Sequence, residues 1–111
     1  MISLVRKAVT ALLLVMGSSN LYAHYPILDC RYEAHSNAIE MIVCEASFSD
    51  RSKAPNVLME VISEDDEIIL SGKTDEASVF RFERPEGGFF IIMDAGPGHV
   101  LEISNEEVVE I

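Results

Sequence analysis

The sequence has few basic residues and only two cysteines. Its 111 residues include eight Lys and Arg against 19 Asp and Glu, which gives a formal net charge of −11. Because nucleic acids and anionic membrane surfaces attract basic patches, this balance argues against either as a partner. The chain also lacks the Gly-x-Ser-x-Gly motif of many hydrolases and the glycine-rich loop that holds phosphates. We therefore expect a protein that is not an enzyme and does not bind nucleic acid.

The first 23 residues have the order of a secretory signal peptide. Arg6 and Lys7 precede a short apolar run, residues 8–16, and a small polar stretch then leads to Ala23. The apolar run is too short for an ordinary membrane span, so an uncleaved anchor is the weaker alternative. We predict cleavage after Ala23, which leaves residues 24–111 as one domain in the periplasm or outside the cell. Six basic against 19 acidic residues then remain, a formal charge of 6 − 19 = −13.

The two cysteines lie in two stretches that alternate between apolar and polar residues. These stretches, 27–34 and 39–48, are separated by a short loop around Asn37. If they fold as a hairpin about Asn37, residues whose numbers sum to 74 face each other, and Cys30 lies opposite Cys44. Directly opposed residues of an antiparallel pair are close enough for a disulfide, and an oxidising compartment favours one. The alternative, a thiolate metal site, matches no usual zinc spacing.

Strand patterns occupy the rest of the predicted mature chain, which shows no sustained helical period. Short apolar or alternating stretches recur at about 8–12 residues, each bounded by turn residues, as in antiparallel β-sandwiches. Seven strands are expected: 27–34, 39–48, 56–62, 68–73, 79–83, 89–94 and 99–103. The remaining residues, 104–111, are expected to form a last edge strand or a frayed end. The sequence thus predicts a small all-β, antiparallel sandwich.

An acidic block, Glu64-Asp65-Asp66-Glu67, lies between the third and fourth predicted strands. It lacks the spaced Asp and Asn pattern and the closing Glu of an EF-hand calcium loop. Blocks of like charge usually face water. A solvated hairpin turn is therefore the preferred interpretation.

Three residues are the candidate metal ligands: His24, Asp94 and His99. After the predicted cleavage His24 is the first residue, so its α-amine and imidazole together can chelate one ion. Asp94 and His99 flank the short turn Gly96-Pro97-Gly98 at the end of the apolar run 89–93, so they cannot lie far apart. Nitrogen and oxygen donors of this kind suit Cu(II), Ni(II) or Zn(II). The alternative is that His99 only bonds backbone and that Asp94 caps the turn.

Several short motifs follow one another through the chain: Lys53-Ala54-Pro55-Asn56-Val57, Met59-Glu60-Val61-Ile62, Asp66-Glu67-Ile68, Gly72-Lys73-Thr74-Asp75 and Phe80-Arg81-Phe82. Together they resemble the carboxypeptidase-regulatory-like, transthyretin-like domains, which are small immunoglobulin-like β-sandwiches. In those domains the turn before Phe-x-Phe usually contains Asn-Gly or Asp-Gly, whereas this chain has Ala77-Ser78. The enzyme branch of that fold ends in Tyr-Arg-Gly-Ser, whereas this chain ends in Glu-Val-Val-Glu-Ile, so that activity is not expected.

The segment from Asp94 to His99, Asp-Ala-Gly-Pro-Gly-His, resembles the ending of small exported proteins associated with nickel and cobalt uptake. Those proteins often begin, after the signal, with Ala-His, as Ala23-His24 does. The resemblance implies a periplasmic accessory protein that binds nickel, cobalt or copper and serves an envelope transport component. The alternative is a structural or interaction module of the cell envelope, and a copper-dependent oxygenase is the least expected. If His24 and His99 lie at the same end of the sandwich, metal binding is favoured; if not, the interaction module is.

Overall fold

The computed structural model describes residues 24–34 and 39–110. The predicted signal peptide and the loop at 35–38, which contains His35, lie outside the described residues. The described residues form seven β-strands: β1 (Pro26–Ala34), β2 (Glu40–Phe48), β3 (Leu58–Ser63), β4 (Ile68–Lys73), β5 (Val79–Glu83), β6 (Phe89–Asp94) and β7 (Val100–Ser104). A 3-10 turn, Asn105–Glu107, follows β7. In the part of the chain described, no helix is long and apolar enough to cross a membrane.

The strands form two sheets that enclose one core. One sheet has the order β1-β2-β5 and the other has the order β4-β3-β6-β7, and the paired strands are antiparallel. Successive side chains of a strand point to opposite faces, so the alternating positions meet between the sheets. The buried side chains there include Leu28, Tyr32, Ile42, Met59, Val61, Phe80, Phe82, Phe89, Ile91 and Met93. The expected all-β sandwich is confirmed.

The first hairpin has the predicted register. Its pairs run from Pro26 opposite Phe48 to Ala34 opposite Glu40, and the numbers of each pair sum to 74. Cys30 and Cys44 are therefore opposed, and they form the predicted disulfide inside the core. The bond joins two neighbouring strands of one sheet rather than the two sheets.

The connection between β4 and β5 carries two buried polar side chains, Thr74 and Ser78. The Thr74 hydroxyl donates to the carbonyl of Ala54 at 2.6 Å and accepts from the N–H of Val57 at 2.9 Å. The Ser78 hydroxyl accepts from the N–H of Ala54 at 2.9 Å. Ser78 also has a φ of 66°, so this turn contains the positive φ that Gly usually supplies. Ser78 thus combines this backbone conformation with a hydroxyl that binds the loop between β2 and β3.

The residues after β7 cover an edge of the other sheet. The N–H of Tyr32 donates to the carbonyl of Val109 at 3.0 Å, and the N–H of Val109 donates to the carbonyl of Cys30 at 2.9 Å. Val108 is buried in the core cluster. The tail is thus neither a full strand nor a frayed end but a short parallel bridge along β1. It satisfies backbone groups that would otherwise form an open edge.

Chain reversals gather at the two ends of the sandwich. One end, which we call the His24 end, consists of residues 24–25, 49–57, 74–78 and 95–99. The acidic turn at 64–67 lies at the opposite end and is exposed, as the sequence predicts. The strong negative charge of that turn is therefore remote from the predicted metal ligands.

Candidate functional site

A surface cavity of about 260 Å³ opens at the His24 end, between the two sheets. Two of the three predicted ligands, His24 and His99, line it. The other lining residues are Phe48, Asp50, Ser52 and Ala95. Phe48 and Ala95 also pack against the hydrophobic core, so the cavity lies directly above the interior of the sandwich.

His24 is positioned by an extension of the first hairpin. The N–H of Tyr25 donates to the Ser49 hydroxyl at 3.0 Å, and the N–H of Ser49 donates to the carbonyl of Tyr25 at 2.9 Å. His24 has the same parity along the chain as Leu28 and Cys30, whose side chains point inward. Its side chain is accordingly directed to the mouth between the sheets, and its Nε2 lies 4.0 Å from Oδ2 of Asp50.

Asp50 is a cavity residue that the sequence interpretation missed. It lies in a tight turn after β2, in which the N–H of Arg51 donates to the carbonyl of Phe48 at 2.8 Å and Arg51 has a φ of 72°. The signal that could have found it is the hairpin register, because 24 + 50 = 74 places Asp50 opposite His24.

The carboxylate of Asp50 is held by Ser52. Its Oδ1 accepts from the Ser52 hydroxyl at 2.6 Å and from the Ser52 N–H at 3.0 Å. These two hydrogen bonds, together with the nearby imidazole of His24, hold the pKa of Asp50 below its ordinary value. Oδ2, the atom that faces His24, is not the atom bound by Ser52. Asp50 therefore offers a fixed, ionised oxygen to the cavity.

His99 is carried by the turn between β6 and β7. Its N–H donates to the carbonyl of Gly96 at 2.9 Å, with Pro97 and then Gly98 between them. Pro at the second position and Gly with positive φ, here 78°, at the third are typical of a type II turn. The His99 Nδ1 lies 3.1 Å from the carbonyl oxygen of Pro97. If Nδ1 carries the hydrogen in that contact, Nε2 keeps a lone pair for a metal ion.

Asp94 does not line the cavity. Its Oδ1 accepts from the N–H of Gly96 at 2.9 Å, which is the turn-capping contact proposed as the alternative. In β6 the side chain of Met93 is fully buried, so that of Asp94 belongs to the outer face of the sheet. Direct metal ligation by Asp94 remains a prediction, while its effect on the turn that carries His99 is visible.

The donor atoms around the cavity are of the types that bind transition-metal ions, but they are not arranged as a complete set of ligands. Two imidazoles and a carboxylate are ligands for Cu(II), Ni(II) or Zn(II). Across residues 24–34 and 39–110, however, no group of three or more His, Cys, Asp or Glu stands ready to hold a metal ion. The side chain of His24 is 57% exposed, and exposed side chains change rotamer within nanoseconds. The His24 imidazole can therefore reorient at the mouth of the cavity.

Comparison of the chain with protein-family models, with curated proteins and with solved structures returned no match. The resemblance to transthyretin-like domains and to nickel and cobalt uptake proteins thus stays a prediction.

Proposed function

We propose that this protein is an exported, non-enzymatic metal-binding protein that takes up nickel, cobalt or copper at the His24 end of the sandwich. One observation supports the proposal above all: His24 and His99 are far apart in sequence and adjoin strands of different sheets, and yet they line the same cavity. The proposed role is accessory to metal uptake or handling in the cell envelope.

The ligands follow from the chemistry of an amino-terminal histidine. The α-amine and Nδ1 of His24 belong to one residue, so their chelate ring forms with little further loss of conformational freedom. Nε2 of His99 is the third nitrogen donor. Asp94 contributes through the turn, because its bond to Gly96 holds the loop that carries His99. Three neutral nitrogens suit the square-planar or tetragonal preference of Cu(II) and Ni(II).

A different class of function, an interaction module without a ligand, is supported by a separate observation. The four-stranded sheet exposes large apolar side chains: Leu58, Ile68, Ile69 and Val100 are each more than a third exposed. Ile68, Ile69 and Val100 belong to its two edge strands, β4 and β7, and an edge strand presents backbone groups that can pair with another chain.

Titration of Ni(II), Co(II) and Cu(II) into protein that begins at His24 tests the proposal. We expect binding that weakens as the pH falls below about 7, because protons compete with the metal for imidazole nitrogen. One extra residue ahead of His24 turns its amine into an amide and should lower the affinity about tenfold or more, and His99→Ala should do the same. His35→Ala, which removes a histidine that the proposal does not use, is the matched control.

The proposal fails if none of the three ions binds. It also fails if the native and the extended protein bind with equal affinity, because the amine then contributes nothing. In either case the interaction module takes its place.

A further inference from the structure

We propose that Asp50 is the positioning residue of this site, and that it acts by accepting a hydrogen bond from Nε2 of His24. The inference rests on the proposed metal-binding function and names a residue that neither the motifs nor the resemblance indicated. Asp50 in this role does not bind the metal itself. It sets the orientation and the tautomer of the ring that does.

Only one ring nitrogen of His24 can bind a metal ion together with the α-amine of the same residue. A ring that includes the α-amine is closed by Nδ1, since Nε2 points away from the backbone and cannot reach the same ion. Nε2 is the nitrogen that faces Asp50, at 4.0 Å from its Oδ2. The carboxylate therefore lies on the side of the imidazole that chelation leaves free.

The Asp50 carboxylate is held in an orientation that suits this contact. Because Oδ1 accepts two hydrogen bonds from Ser52, the rotation of the carboxylate is restricted and Oδ2 stays turned toward His24. A hydrogen bond needs about 2.7–3.2 Å between nitrogen and oxygen, so a small rotation of the exposed imidazole closes the remaining gap. An Nε2–H donated to Oδ2 leaves the lone pair on Nδ1, next to the amine.

His99 has the complementary arrangement. Its Nδ1 lies 3.1 Å from the carbonyl of Pro97, which leaves Nε2 as the donor to a metal. Each imidazole thus has one nitrogen beside an oxygen of the protein and one nitrogen available. Metal-binding histidines are usually held in this way through their second nitrogen, by a carboxylate or a carbonyl. The cavity contains one of each kind.

Asp94, the carboxylate expected from the sequence, cannot take this role in the observed structure. It is bound to Gly96 and belongs to the outer face of its sheet, whereas the cavity opens between the sheets. Asp50 reaches the cavity because it lies opposite His24 in the hairpin register.

A coupling experiment distinguishes positioning from a general structural role. Asp50→Asn is made in protein that begins at His24 and in protein with one extra residue ahead of His24, and Ni(II) and Cu(II) affinities are measured by calorimetry. We expect Asp50→Asn to lower the affinity about 10–100-fold in the first background, the usual effect of losing such a partner. In the second background we expect less than about a twofold change, because His24 no longer chelates and the two effects are coupled.

Asp75→Asn is the matched control, since Asp75 also caps a turn at the His24 end but lies outside the cavity. It should leave metal affinity unchanged in both backgrounds, and circular dichroism should show all proteins folded. The inference is overturned if Asp50→Asn binds as tightly as the native protein, or loses the same factor in both backgrounds. Either result leaves the proposed function intact as long as the extra residue itself weakens binding. If the extra residue has no effect, the proposed function fails first.

Discussion

Loss of the Cys30–Cys44 disulfide should destabilise the domain strongly. The bond closes a loop with a sequence separation of 14 residues. In the chain-entropy model a loop of this length is worth about 3 kcal/mol, because the cross-link restricts the unfolded chain. For a domain of this size, that free energy corresponds to a fall of about 12–24 °C in Tm.

The two ways of removing the bond should differ by a predictable amount. Reduction keeps both sulfur atoms in the core, where Cys30 and Cys44 are 3% and 0% exposed. The double variant Cys30→Ala/Cys44→Ala also removes them and leaves small cavities, which costs about 1–2 kcal/mol more. We therefore expect losses of about 3 kcal/mol on reduction and about 4–5 kcal/mol in the double variant.

Urea unfolding followed by circular dichroism measures both losses in protein purified without reductant. The reduced native protein is the control that separates the cross-link from the buried volume. If oxidised and reduced protein unfold at the same urea concentration, the cross-link does not restrict the unfolded state and the reasoning is wrong. Ready alkylation of two thiols in the native protein would contradict the hairpin pairing itself.

Two further predictions concern the loops of the His24 end. Thr74→Val should lower the free energy of unfolding by about 2–3 kcal/mol, because it leaves the buried carbonyl of Ala54 and the N–H of Val57 without their partner. Thr74→Ser keeps the hydroxyl and should lower the free energy of unfolding much less, as measured by the same urea assay. Ser52→Ala should raise the pKa of Asp50 toward the ordinary 3.8, as followed by NMR titration of its carboxyl group. Because Ser52 lowers that pKa in the folded state, its stabilising effect is present above the ordinary pKa and disappears as the pH falls through the lowered one. An unchanged pKa in Ser52→Ala would show that the hydroxyl does not hold the carboxylate.

The strands could be predicted because the alternation of apolar residues and the positions of turn residues indicate the same strand boundaries. Phe80 and Phe82, for example, point inward from the five-residue strand β5, as their spacing of two requires. The disulfide followed from the same period, since one register alone brings the two cysteines face to face. In this small antiparallel domain, the alternation within each strand and the pairing between strands therefore predict the same inward-facing residues.

The path of the tail could not be predicted in this way. Val108 and Val109 have too short a pattern to distinguish a strand from a frayed end, and their partner strand lies at the other end of the sequence. Only the packing of the whole sandwich brings them to β1.

The candidate site was predictable in part. His24 and His99 stood out by chemical type, but Asp50 is one of many acidic residues and acquires meaning only through its position opposite His24. Asp94 stood out by its nearness to His99 in sequence. Nearness in sequence did not place Asp94 in the cavity. Adjacent strand residues face opposite sides of the sheet, and Asp94 faces outward because Met93 faces the core.

The short bridge that covers β1 has a consequence for the order of events during synthesis. Cys30, on β1, is made 109 − 30 = 79 residues before Val109, the residue that donates a hydrogen bond to its carbonyl. At about 5–20 residues per second, the ribosome takes on the order of 4–16 s to make the intervening chain. The first strand can pair with β2 early in that interval, but its other edge stays open until Val108 and Val109 have been made. Two residues made near the end of that interval therefore complete the protection of the first strand of the sandwich.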